Sequence, residues 1–82
     1  MSLEYYKKQM VDLRARLAKE KEAKKRDNEY YADLVKRSST PTSKASYRKA
    51  KIDHAASHDR NIESIKRQIE SCKDSIARER KK

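Results

Sequence analysis

Apolar residues enter this chain in steps of three and four. They stand at Leu3, Tyr6, Met10, Leu13 and Leu17, lapse while Glu20, Lys24 and Asp27 hold the same phase, and return at Tyr31 and Leu34. Ala23 is the only small apolar residue near the middle of that lapse. Steps alternating in this way put one stripe of side chains along one side of a helix, the a/d seam of a coiled coil. A second series opens on Tyr47, Ile52 and Ala55 and settles into Ile62, Ile65, Ile69, Cys72 and Ile76. The pattern predicts two long helices, the first over about residues 3–37 and the second over about residues 44–80. Ser2 is the candidate N-cap of the first, with Glu4 in the opening turn, where a negative charge suits the helix dipole.

Between the two series lies Ser38-Ser39-Thr40-Pro41-Thr42-Ser43, which holds the one proline of a chain without glycine. Hydroxyl side chains compete for backbone groups, and the proline ring fixes φ and has no N–H to donate, so residues 38–43 read as a hinge. Thr40 is pushed out of the α region by the proline after it. It is the expected N-cap of the second helix with Pro41 at the first helical position, and Ser43 is the alternative cap. So short a connection joins antiparallel neighbours. Folding the chain back there sets Leu17 against Ile65, Leu13 against Ile69, Met10 against Cys72 and Tyr6 against Ile76 at the open end. Tyr31 and Leu34 then meet Ile52 and Tyr47 beside the hinge, and the polar residues 20–27 face His54, His58 and Asp59. Strong layers meet strong and polar meet polar, which favours a hairpin over one continuous rod.

The expected fold is all-α: one domain over residues 1–82, a two-helix antiparallel coiled-coil hairpin that dimerises into a four-helix bundle. Dimerisation enters because two helices have only one thin stripe to bury, and chains of this size need oligomerisation or another staple. The seam residues are therefore the expected core and interface together.

Composition agrees with long exposed helices, since 44% of the residues are charged and 34% apolar. The net charge of +10, from 23 basic and 13 acidic residues, attracts nucleic acid, anionic lipid or an acidic protein. A basic helical nucleic-acid-binding protein is accordingly the alternative function. No run approaches the roughly 18 apolar residues of a membrane span, and no apolar stretch follows the N-terminal charges as in a secretion signal. The single cysteine, Cys72, has no internal disulfide partner. A cytoplasmic chain is the expectation.

His54 and His58 have the i, i+4 spacing that two metal ligands use. Only Ala-Ala-Ser lies between them, without the glutamate of the zinc-protease motif, and no third ligand follows at a recognisable spacing. Their expected place is a polar layer of the seam. Cys72 sits at a seam position as a small core residue. The doublets Tyr5-Tyr6 and Tyr30-Tyr31 send one ring of each into the seam and leave the other on the flank. Base stacking would call for a glycine-rich or RNP-like signature, which this sequence lacks. Nor does it hold a phosphate loop, an acid/base constellation or a nucleophile motif. These residues predict no enzyme, no metal and no cofactor, but a self-association module.

The opening Ser2-Leu3-Glu4-Tyr5-Tyr6, the Leu and Lys run behind it, the centre from Lys36 to Lys44 and the Ile-rich return resemble the N-terminal helical hairpin that precedes Toll/interleukin-1 receptor-like domains in bacterial effector proteins. The resemblance covers nearly the whole chain. It implies an assembly module of a bacterial defence or signalling effector, a homodimer or higher homo-oligomer, with a C-terminal effector domain or a protein partner beyond these residues. The chain is then either a fragment of such an effector or a stand-alone relative. No NAD-cleaving activity or catalytic residue carries over, because the catalytic domain is not among these residues. In size and shape the chain also resembles small helical-hairpin secretion substrates or adaptors, a third reading. It departs from one such family by lacking the Trp-X-Gly turn, having neither Trp nor Gly.

Overall fold

A computed structural model describes residues 3–82. Helix α1 runs Leu3–Arg37 and helix α2 runs Pro41–Arg80, leaving Ser38, Ser39 and Thr40 as the turn. The helices pack side by side and antiparallel in a rod measuring 64 × 14 × 12 Å. The N-cap expected at Ser2 lies outside the described residues. No helix among the described residues is long and apolar enough to cross a membrane.

The turn is short because the Ser38 and Thr40 hydroxyls each satisfy a helix end. Ser38 closes α1 twice over, its backbone N–H donating to the Leu34 carbonyl at 3.0 Å and its Oγ–H donating to the same oxygen at 2.7 Å. Thr40 then turns extended, with φ −114° and ψ 146°, and its Oγ1 accepts from the Ser43 N–H at 3.2 Å. Thr40 is thus the N-cap, and Ser43 is the residue it caps. The connection is narrower than the hinge read from the sequence at residues 38–43. Pro41, Thr42 and Ser43 already form the first turn of α2, since a proline there gives up only an N–H that has no partner within the helix.

The core lies at the open end. Met10, Leu13, Ile69 and Cys72 are buried against one another, and Tyr6, Leu17, Ile65 and Ile76 pack around them. Ile62 continues the buried row towards the middle, and Leu3 is half-buried at the start of α1. The Cys72 S–H donates to the Tyr6 carbonyl oxygen at 3.2 Å, so the thiol serves as a small core group with one satisfied polar contact. Even here the seam is only one side chain wide, and no large side chain among the described residues is fully enclosed.

Each tyrosine doublet straddles the seam edge. Tyr6 and Tyr31 are half-buried while Tyr5 and Tyr30 stay exposed, and the rings meet edge to face at 5.4 Å and 5.1 Å. Beside the turn, Leu34 and Tyr47 line one hollow with Ser38 and Ser43.

One seam assignment is corrected. Ile52 is 68% exposed, and Tyr31 meets His54 in its place. Ile52 follows Tyr47 by five residues, which at 3.6 residues per turn puts the two on different sides of the helix. Lys51, half-buried between Ala50 and Ala55, holds the inward position instead.

Burial sets what substitutions should do. Leu13→Ala removes buried methylenes from the best-packed layer and should cost about 2–5 kcal/mol. Ile52→Ala and Lys49→Ala, both at exposed positions, should stay within about 0.5 kcal/mol. Thermal melting followed by circular dichroism separates the two classes, and an Ile52→Ala loss as large as that of Leu13→Ala would refute the observed register.

Candidate functional site

Where apolar residues lapse, α1 offers Glu20 and Asp27 to the seam, seven residues and so about 10 Å apart along the axis. His58 of α2 enters between them. Its Nδ1–H donates to Glu20 Oε1 at 2.6 Å, and its Nε2–H donates to Asp27 Oδ2 at 2.6 Å. An ionised carboxylate only accepts, so satisfying both requires both ring protons, and the clamp selects the imidazolium. The bond to Asp27, then that to Glu20, raises the His58 pKa above its ordinary 6.5. Both carboxylates are held below their ordinary values. The His58 hydrogen bond is the largest cause for each, and a second bond from Asn61 Nδ2 to Glu20 Oε1, 3.0 Å long, adds to the effect on Glu20.

The surrounding groups complete a charge-compensated layer. Lys24 of α1 reaches Asp59 of α2 at 2.6 Å. His54 Nδ1 lies 3.6 Å from Asp27 Oδ2, while its Nε2 shares a hydrogen bond with the Tyr31 hydroxyl at 3.1 Å, the two rings tilted with centroids 4.9 Å apart. The side chains of His58 and Glu20 keep 17% and 22% of their exposure. The layer therefore retains part of its hydration, and the full cost of burying ions is avoided. Among the described residues every buried side-chain nitrogen or oxygen has a hydrogen-bond partner.

Chemically, this arrangement ties two helices in one register. Each ring nitrogen of His58 is engaged by one carboxylate, one from each side of the gap in α1. The sequence placed His54, His58 and Asp59 opposite residues 20–27. It gave no sign that one imidazole would bridge two carboxylates, or that Asn61 would join them.

Two flanks border the seam, and they differ in charge. On one, Tyr5, Gln9, Gln68, Ser71 and Ser75 line a groove over Leu13 and Cys72. This side continues past Ala23, Asn61 and Ser64, with Arg16 and Lys19 at its margin. On the other, Lys7, Arg14, Lys73 and Arg80 surround Met10, Val11, Ile76 and Ala77. At the open end, the groove on one flank is lined by uncharged side chains and the groove on the other by four cations and no carboxylate. The signal was present in the sequence, since Lys7, Arg14 and Lys21, and likewise Lys66, Lys73 and Arg80, recur every seventh residue, at one heptad position of each helix.

The clamp makes stability depend on pH in a definite sense. A raised His58 pKa stabilises the fold fully below the ordinary 6.5, and that contribution is lost as pH climbs through the raised value. The lowered carboxylates stabilise it above their ordinary 4.5 and 3.8, a contribution lost as pH falls through the depressed values. The melting temperature should therefore be highest between about pH 4.5 and 6.5 and decline on both sides. His58→Gln, which keeps hydrogen bonding but cannot be charged, should remove the alkaline decline. A parent curve that is flat from pH 6 to 9, or a His58→Gln curve with the same decline, would rule the clamp out as its source.

Neither a protein-family model, nor a curated protein, nor a solved structure matches this chain.

Proposed function

We propose that this hairpin is a non-enzymatic assembly module that self-associates through its neutral flank. One observation carries the reading: among the described residues only Met10, Leu13, Ile62, Ile69 and Cys72 are buried, so a single hairpin leaves its remaining seam residues half open to water. A second hairpin laid on that edge removes more apolar surface, at about 25 cal/mol per Å². Charge decides which edge it is. Across a two-fold axis each surface faces its own copy. On the neutral flank, Gln9, Gln68, Ser71 and Ser75 meet the same uncharged hydrogen-bonding groups, with Tyr5 adding the kind of amphipathic ring enriched at interfaces. On the opposite flank the same operation sets four cations against four. The resemblance to the hairpins that precede Toll/interleukin-1 receptor-like domains supports the same reading, an assembly element of a bacterial defence or signalling effector.

Sedimentation equilibrium at micromolar concentration tests it. The parent should be a dimer whose melting temperature rises with concentration. Gln68→Arg, which places like charges across the axis, should weaken the dimer by about tenfold or more. Val11→Arg on the other flank should leave it intact. A well-folded monomeric parent, or a dimer indifferent to Gln68→Arg, would contradict the proposal.

A further inference from the structure

The basic flank carries a groove at the open end that the seam does not use. Lys7 and Arg14 of α1 form one wall, and Lys73 and Arg80 of α2 form the other. The rest of the lining is apolar, Met10 and Ile76 at the seam and Val11 and Ala77 beside the cations, and Val11 is 67% exposed. No carboxylate lines this groove. Lys7 lies 4.0 Å from Glu4 and Lys73 3.3 Å from Glu70, but both are exposed pairs within one helix, a class that contributes little. Arg14 and Arg80 make no ion pair among the described residues.

Cationic walls over an apolar floor specify an occupant by its chemistry. A second copy of this chain does not fit, because it would bring a like-charged flank to the groove. Nucleic acid suits the walls but not the floor, since a phosphate backbone has no apolar surface to lay on Val11 and Ile76. A helix with an apolar stripe bordered by Glu and Asp suits both. Its stripe covers the floor, and its carboxylates reach the walls with their acids in place of water. We propose that this groove binds an acidic amphipathic helix of a partner protein, completing a three-helix bundle at the open end of the hairpin. Lys66, in another exposed pair 4.0 Å from Glu63, continues the α2 wall to the level of Arg14. The two walls then face each other over one heptad, about 10 Å along the axis.

The test is fluorescence anisotropy with a labelled synthetic helical peptide of about 21 residues, three heptads long, with Leu at its a and d positions and Glu at e and g. Binding is expected, and the same peptide with Ser in place of every Leu, unchanged in charge, should bind about tenfold more weakly or worse. Arg14→Glu with Arg80→Glu should weaken binding by about tenfold or more. Arg48→Glu with Lys49→Glu, the same charge change at exposed positions near the turn, should leave it unchanged. Equal binding of the Ser peptide, or parent-like binding by the Arg14 and Arg80 variant, would overturn the proposal. So would tighter binding to a DNA duplex of about 20 base pairs at the same salt concentration. The Gln68→Arg variant should still bind the peptide, so failure of self-association and failure of this groove are read separately.

Discussion

Two helices meet along one line, and every side chain this hairpin buries has to stand on it. That single seam is divided by function. Its open end is apolar and supplies burial through Met10, Leu13, Ile69 and Cys72. Its middle is polar and supplies specificity. There His58 sits between Glu20 and Asp27, with Lys24 on Asp59 beside it. A slip of α2 by one turn would carry His58 about 5 Å along the axis and away from one of its two carboxylates, leaving a charge in the seam without its partner. The apolar layers tolerate such a slip better, because one Ile resembles the next. Fixing register is the best-attested use of a polar layer in a coiled coil, and this layer is placed to serve it.

The same constraint determines what the surface can do. A seam one side chain wide leaves both edges open, and the two edges have opposite character at the open end. Neutral amides, hydroxyls and an aromatic ring border one, while Lys7, Arg14, Lys73 and Arg80 border the other. A two-fold axis through the first would set uncharged groups against one another, and one through the second would set cations against cations. The net charge of +10 is spread along the chain, but at the open end four of its cations gather around one groove without a carboxylate among them.

Most of the fold was legible in the sequence because the chain punctuates itself so sparsely. With one proline and no glycine, the turn had one place to go, and Thr40 before Pro41 carried its own capping chemistry. The unbroken phase from Leu17 through Glu20, Lys24 and Asp27 to Tyr31 brought the polar residues into the seam as surely as the apolar ones. Ile52 went astray because residue type was allowed to outweigh spacing, since a step of five from Tyr47 cannot stay on one helical face. The bridge through His58 was not legible, because it depends on how far two carboxylates on one helix lean towards an imidazole on another. The basic groove was hidden by summing charge over the chain, which conceals a period of seven.

An unequal seam is tested most directly by residue-resolved amide hydrogen exchange, measured just below pH 6.5, where His58 is charged. Amides open at the cost of the contacts holding them, so exchange reads the strength of each layer. The slowest amides should fall in residues 10–17 and 62–72, with residues 20–27 and 55–59 exchanging faster. Uniform protection along both helices, or slowest exchange in residues 20–27, would contradict a hairpin held at its apolar open end and registered by its polar middle.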